Sequence, residues 1–345
     1  MPEPLDIEDA PALIEYLRQT GRIAADEQPR ITVLQGGVSN RTVAVERASG
    51  EAWVLKQALA KLRVQVDWFS SPTRIEREAR GLEWLPRLAP AGSITPLVFE
   101  DPAHNLLAMQ AVPQPHENWK SALLAGRICA EHFRQFARLL AAIHDEAYGR
   151  RAEVAEVFAD RSFFESLRME PYYSYAAEQV PEAAPFLHAL MAETRACRIT
   201  LVHGDYSPKN ILIHEGRLVL LDHEVIHFGD PAFDVGFSLT HFLSKGHHFP
   251  ALRSQFGEAA REYWRVYREL LGAQPWAGEL EARAVRHLLG CLLARVAGRS
   301  PLEYLAAGER ARQRQAVLNL LASPPQTVAG GIAMFEEQLC RLSSA

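Results

Sequence analysis

From Ile31 to Val112 the apolar residues come in short runs: Ile31 to Leu34, Thr42 to Glu46, Ala52 to Gln57, Leu97 to Glu100 and Leu106 to Val112. Runs of this length and residue type predict β-strands. One segment keeps a different rhythm. Thr73 to Leu88 carries Ile75, Ala79, Leu82 and Leu85 at helical spacing. The pattern predicts a small, mostly antiparallel sheet with one helix packed on it. After Pro113-Gln114-Pro115 the period becomes helical, with Phe133, Phe136, Leu140 and Ile143 in one stripe. Phe256, Ala260, Tyr263, Tyr267 and Leu270 form another, stopped by Gly272. A brief β interlude interrupts this helical region, Ile199 to Val202, Ile211 to His214 and Leu218 to Asp222, with a Glu215-Gly216 turn between the last two strands. The expectation is an α+β chain whose first part, residues 1–112, is mainly sheet and whose second, residues 113–345, is mainly helix.

Length and composition agree with that division. A chain of 345 residues exceeds one ordinary compact core. With 48% hydrophobic and 23% charged residues it is a folded protein rather than a disordered or fibrous one. The net charge of -5 supplies no basic field for a nucleic-acid backbone. Met1 to Asp9 is acidic, without the basic-then-apolar order of a signal peptide, and no run approaches the ~20 apolar residues of a membrane span. A cytoplasmic protein without nucleic-acid or membrane partners is expected. Cys129, Cys197, Cys291 and Cys340 lie far apart with no Cys-x-x-Cys pair, which points to reduced, structural thiols.

The chemistry concentrates on the β interlude. Leu201-Val202-His203-Gly204-Asp205-Tyr206-Ser207-Pro208-Lys209-Asn210-Ile211 reads as a strand, a polar loop and a strand, with Asp205 and Asn210 at the loop's ends. Asp222 follows after the hairpin, at the end of another apolar run. Phosphoryl transfer from MgATP asks for one carboxylate to orient the hydroxyl and accept its proton, and for oxygen ligands to magnesium. Asp205 fits the first task; Asn210 and Asp222 fit the second. Taken singly, a loop Asp or Asn is a common turn former or cap, and His203 a packed histidine. Jointly, Asp-x4-Asn followed by an Asp after a hairpin is the order of a kinase catalytic loop and metal-binding Asp, with His-Gly-Asp in place of His-Arg-Asp. Glu224, two residues beyond Asp222 on extended chain, faces the same side as a further carboxylate, either metal-binding or one step removed.

This segment, with Asp222-His223-Glu224 and Gly229-Asp230-Pro231-Ala232-Phe233-Asp234-Val235-Gly236, resembles the aminoglycoside phosphotransferase and choline kinase group. These are small-molecule kinases built like protein kinases. The resemblance implies a bilobal fold: a small antiparallel sheet lobe with one helix (residues 1–112) that binds nucleotide, and a larger helical lobe (residues 113–345) for catalysis and acceptor. It implies ATP as co-substrate, Mg2+, and a small hydroxyl-bearing acceptor. His203 would shape the catalytic loop and Asp234 would tie it down. Gly36, Gly37, Ser39 and Asn40 match the group's Gly-Gly-x-Ser-Asn loop, whose backbone approaches phosphate oxygens. Lys56, on the run Trp53-Val54-Leu55-Lys56, stands where these kinases hold the α- and β-phosphates. Its partner is Glu78 or Glu76, with Glu78 matching the group's Arg-Glu-Ala pattern. Gln110, Ala111 and Val112 would pair with adenine through the backbone.

The acceptor is less legible. Trp119, Arg168, Tyr172, Arg295 and Arg299 are candidate contacts, the two late arginines for an acidic or polyhydroxylated ligand. Within the group the resemblance is nearest the 5-methylthioribose kinases, through Trp119-Lys120, Asp222-His223-Glu224 and Gly290 to Arg295; His223 and the Gly-Asp-Pro stretch depart from their pattern. A sugar, polyol or amino alcohol acceptor is therefore expected. A polycationic aminoglycoside is the lesser alternative, since few carboxylates lie in these segments. A protein kinase is disfavoured by the absence of an Ala-Pro-Glu segment and of a long activation loop. A catalytically idle nucleotide-binding scaffold stays open as a rival, although none of the needed side chains is missing.

Overall fold

The computed structural model describes residues 5–35, 37–64 and 67–344. Its first part is an antiparallel sheet of β1 (Arg30–Val33), β2 (Asn40–Glu46), β3 (Ala52–Ala58), β4 (Leu97–Asp101) and β5 (Leu106–Gln110), in the order β1-β2-β3-β5-β4. Alternation along the strands gives the sheet two different faces. Val43 and Val45 of β2 with Trp53 and Leu55 of β3 pack against Leu13 and Leu17 of helix α1 (Ala10–Gln19). The opposite face carries Thr42, Val54 and Lys56 toward a cleft, and Leu107 and Met109 of β5 share a core with Ile75, Ala79 and Leu82 of α2 (Arg74–Trp84). The helix α1 went unrecognised in the sequence. Its signals are short ones: an Asp9 cap accepting from the Ala12 N-H at 3.2 Å, Pro11 in the first turn, and a buried stripe of Leu13, Tyr16 and Leu17.

The second part begins with β6 (His116–Asn118), α3 (Trp119–Leu124), α4 (Ala130–Gly149) and α5 (Arg151–Phe158). Next come α6 (Ser162–Phe164), a wider π-helical stretch over Glu165–Ser174, α7 (Tyr175–Gln179) and α8 (Ala184–Ala196). Strands β7 (Thr200–Val202), β8 (Ile211–His214), β9 (Arg217–Leu220) and β10 (His227–Gly229) carry the expected interlude. β8 pairs with β6 and β9, while β7 pairs with β10. Helices α9 (Ala232–His248), α10 (Arg253–Leu271), α11 (Leu280–Ala297), α12 (Ala307–Ala322) and α13 (Val328–Ser344) complete the body.

α9 is the axis of that body, buried along nearly its whole length between α10 and α11. Both predicted stripes are helical, on α4 and α10, with one exception: Leu270 is 54% exposed, because the buried stripe continues from Tyr267 to Leu271, four residues on, instead of to Leu270. Two differences at strand ends bear on the site. β5 stops at Gln110, where the chain leaves the sheet, and β9 stops at Leu220, so Asp222 stands beyond its strand.

At the α9–α11 crossing a side chain has no room. A Cβ placed on Gly236 would stand 2.6 Å from both the His287 Cβ and the Leu288 backbone nitrogen. Gly236→Ala is expected to destabilise the protein by about 1–3 kcal/mol through overpacking, even though Ala is the better helix former by about 1 kcal/mol. Urea denaturation would read this as a lower midpoint at unchanged slope; an unmoved midpoint would mean the two helices can part at no cost.

Candidate active site

The loop after β7 is held from below by one carboxylate. Asp234, at the start of α9 and fully buried, accepts the His203 N-H at 2.7 Å on one oxygen and the Gly204 N-H at 2.8 Å on the other. His144 approaches it at 3.3 Å and is itself bonded to the Tyr267 hydroxyl at 2.8 Å. Burial alone would raise the Asp234 carboxyl; the hydrogen bond with His144 and then the backbone N-H of His203 hold it below its usual value. Gly204 lies at φ 77, and a Cβ there would be 3.0 Å from the Val225 carbonyl oxygen, so the turn requires glycine. The His203 Nδ1 accepts the Asp205 N-H at 3.2 Å, which leaves its proton on Nε2, facing the His223 Nδ1 at 3.2 Å. Burial first, above all else, keeps both imidazoles neutral.

Four carboxylates meet above this loop, each with a cation. Asp205 pairs with Arg168 at 2.9 Å, and its Oδ2 also accepts the Asn210 amide at 2.7 Å. Burial pushes the Asp205 carboxyl up, but Arg168 and then Lys209 hold it below its ordinary range. Lys56 lies 2.6 Å from Glu78 and 2.7 Å from Asp222. Burial raises the Glu78 carboxyl to about 7 against the pull of Lys56, while Lys56 and Lys209 overcome burial to keep Asp222 low. The fourth, Glu224, accepts from the Arg74 Nε at 3.0 Å and the Asn40 amide at 3.3 Å. Glu78 is thus the partner of Lys56, and Glu76 is not.

Oxygens of Glu78, Asp222 and Glu224 all lie within 4.8 Å of one another. Glu78 Oε2 is buried without a partner among the described residues, and Asp222 adopts φ 69, a left-handed conformation costly for a side-chain-bearing residue. A set of carboxylate oxygens with one unspent acceptor fits a hard divalent cation such as Mg2+.

Two cavities adjoin this cluster. The larger, about 660 Å³, lies under the sheet and is lined by Gly37, Ser39, Asn40, Lys56, Gln110, Ala111, Val112, Asn210 and Asp222. The smaller, about 70 Å³, is lined by Asp205, Glu224, Arg168, Tyr172 and Arg295. Val38, Ser39, Lys209 and Asp222 line both, so the cavities meet at Asp222. The linker is narrower in its offer than expected: the Gln110 N-H is spent on Pro96 and the Ala111 N-H on Ala52, both at 2.9 Å. The Val112 N-H has no acceptor among the described residues.

Gly36 lies outside the described residues. Two acceptor candidates are not brought to the site. Trp119 is fully buried, ringed by Phe133, Phe136 and Phe242 at 5.0–5.9 Å, because α3 turns it into the helical core. Arg299 is spent on Glu170 at 2.8 Å and on the Tyr175 ring at 4.5 Å, outside both cavities. Conversely, Arg74 was missed. Fully buried, it bonds Glu224, the carbonyl of Ser39 and that of Leu59, and so ties the glycine loop to the carboxylate cluster. Its signal was available, since it lies four residues before Glu78 on the same helix face. Thr95, Met109, Leu212 and Leu221 on the walls of the larger cavity, and Ser207, Phe237 and His241 in the smaller, gave none.

Asp234→Asn would turn an amide N-H toward one of the two loop N-H groups and is expected to cost about 1–3 kcal/mol. The Asp234 pKa is depressed in the folded protein, so its contribution is present above the ordinary value of 3.8 and is lost as the pH falls through and below it. Denaturation midpoints at a series of pH values should therefore show wild type and variant converging below that value; a pH-independent gap would contradict the assignment.

Among known proteins, the family described as "Phosphotransferase enzyme family" matches residues 30–270. A methylthioribose kinase of Yersinia enterocolitica is 25% identical over 285 residues, 73% of this chain and 70% of that protein. One from Pectobacterium carotovorum is 25% identical over 265 residues, with 67% of this chain but 64% of its own length covered, just under two thirds. In structure, amicoumacin kinase hAmiN in complex with AMP-PNP, Ca2+ and Ami superposes with a TM-score of 0.61 at 15% identity, over 93% of this chain and 96% of that one. Macrolide 2'-phosphotransferase MphH from Brachybacterium faecium does so with a TM-score of 0.53 at 18% identity, over 91% and 98%. The architecture is therefore the bilobal, protein-kinase-like one. No helix among the described residues is long and apolar enough to cross a membrane.

Proposed function

The chain belongs to the phosphotransferase enzyme family, and on that premise we propose that it moves the γ-phosphate of MgATP to a hydroxyl of a small sugar- or polyol-like acceptor, in the cytoplasm. The observation that carries this reading is the junction at Asp222 of a nucleotide-sized cavity with a small one, with Asp205 on the small side and Asn210 and Lys56 on the large. Residues 1–112 hold the nucleotide, and residues 113–345 carry catalysis and the acceptor.

Each side chain has a task in that reaction. Asp205, ionised and hydrogen-bonded, orients the acceptor hydroxyl and takes its proton as the oxygen bonds to γ-phosphorus and the bond to the β–γ bridging oxygen breaks. Arg168 keeps Asp205 charged and in place. Lys56, swung from its carboxylate partners, meets the α- and β-phosphates, with Gly37, Ser39 and Asn40 above them. The Val112 N-H is left for the base. Asn210 and Asp222 hold Mg2+, with Glu224 or Glu78 beside them; the ion supplies charge neutralisation at the phosphate oxygens. The methylthioribose kinases among the relatives support a sugar-like acceptor. The 70 Å³ of the smaller cavity speaks against an aminoglycoside. An idle scaffold would have lost one of these groups, and none is missing.

The test is Mg2+-dependent ADP release against sugars, thiosugars, polyols, amino alcohols and aminoglycosides. Asp205→Asn is expected to lower acceptor-stimulated turnover by about 10²–10⁴-fold while leaving nucleotide affinity nearly intact. Asp222→Asn, by contrast, should weaken nucleotide binding in Mg2+ but not in its absence. Nucleotide binding without turnover for any acceptor would favour the scaffold; equal loss of turnover and binding in Asp205→Asn would remove the base assignment.

A further inference from the structure

The carboxylates of the site are all matched by cations, but the reverse does not hold. Arg295 of α11 lines the smaller cavity and is only 8% exposed. Its guanidinium bonds neutral oxygens alone, the Tyr172 hydroxyl at 3.0 Å and the Ser300 hydroxyl at 3.1 Å and carbonyl at 2.5 Å. Its Nε has no acceptor, and no carboxylate among the described residues pairs with it. Two further polar groups on the same wall are buried and unpartnered, the His241 Nε2 and the Ser207 hydroxyl.

Behind them the charge is one-sided. Lys245, buried one turn after His241 on α9, donates only to the His241 carbonyl at 3.3 Å and stands over the Tyr304 ring. Lys120 is paired with Glu303, the single carboxylate of this group. Burial drives the Lys245 ammonium down to about 7, with Lys120 adding to the effect. Burial likewise, followed by Lys245, Arg295, Lys120 and Lys209, keeps the His241 imidazole neutral. Buried cations without a counter-charge are costly, and a planar guanidinium is the group best suited to hold a carboxylate through two parallel hydrogen bonds.

We propose that the smaller cavity takes an acceptor bearing a carboxylate as well as the hydroxyl to be phosphorylated, a small hydroxy acid or sugar acid whose carboxylate is held by Arg295. The inference rests on the phosphotransferase reading and adds the class of substrate. Geometry supports it: Arg168, which holds Asp205, and Arg295 stand 5.5 and 5.4 Å from the centre of the same Tyr172 ring. A molecule a few atoms long, with its hydroxyl at Asp205, has its other end at Arg295. His241 and Ser207 supply donors for that end, and Phe237, edge-on to His241 at 4.8 Å, closes the floor. The cavity of about 70 Å³ admits a molecule of this size and not a large antibiotic.

The test measures equilibrium binding by calorimetry to the full chain saturated with MgADP, using matched small probes: D-glycerate against glycerol and lactate against propane-1,2-diol, with glycerol 3-phosphate and ethanolamine as alternative charges. Each carboxylate should bind about tenfold or more tightly than its neutral partner, and Arg295→Gln should erase that ratio. Arg295→Lys, which keeps the charge but loses the fork, should reduce it without erasing it, and it carries the same reading should Arg295→Gln not fold. Equal affinity within the pairs, preference for the neutral, ammonium or phosphate probes, no binding of either carboxylate, or a ratio unchanged by either substitution would overturn the proposal. The nucleotide titration separates the two levels. Failure to bind MgADP strikes the phosphotransferase reading, whereas normal MgADP binding without carboxylate preference strikes this inference alone.

Discussion

A buried carboxylate stays ionised only where a cation or several hydrogen-bond donors replace the water it has lost. Four of them, Glu78, Asp205, Asp222 and Glu224, are gathered where the sheet meets the helical body, and that one constraint organises much of the rest. It brings Lys56 from β3, Arg74 from α2 and Arg168 from the π-helical stretch to a single point. Three elements far apart in sequence are thereby fastened together by charge, and the cleft between them is what remains open. A cluster so balanced is also responsive. The Lys56 ammonium answers both Asp222 and Glu78, so its removal would leave two carboxylates of the cluster without their counter-charge.

The backbone around the cluster pays in strain for the same arrangement. Asp222 holds a left-handed conformation just past its strand, and Gly204 turns the catalytic loop so tightly that the Val225 carbonyl excludes a side chain. Both are held from outside, Gly204 by Asp234 and Asp222 by Lys56. The π-helical stretch belongs to the same class of feature. Pro171, without an N-H to give, sits inside it, and the widened turn sets Arg168 and Tyr172 together on the cavity wall. Local irregularity here coincides with the groups assigned to chemistry, whereas the long regular helices α4, α9, α10 and α11 supply the rigid body beneath them.

Legibility from the sequence followed the range of the interactions. The strands of the sheet, the helix that interrupts them and the His-Gly-Asp segment are local patterns, and each begins within a residue or two of its expected place, although α2 ends four residues before Leu88. Lys56 and Glu78 could be paired because a strand lysine and a helix glutamate obey a short motif. Arg74 escaped notice although its i,i+4 spacing from Glu78 was in view, since that spacing alone does not tell a surface arginine from a buried one. Trp119 failed for the complementary reason: an amphipathic aromatic beside a lysine reads as a contact residue, and only the packing of α3 on α4 turns it inward. Arg295 and Arg299 look alike in sequence; one lies in the cavity and the other on Glu170.

The sequence by itself thus determined the class of fold and the passage from sheet to helical body along the chain, and it singled out Asp205, Asn210, Asp222 and Lys56 as candidates, because periodicity and motif spacing are properties of neighbours along the chain. The tertiary structure decided which cations answer which carboxylates, which arginine is left without a counter-charge, and how small the second cavity is. Those are properties of surfaces brought together from Ser39, Arg74, Arg168, His241 and Arg295, and no local pattern encodes the burial that makes an unpaired charge expensive.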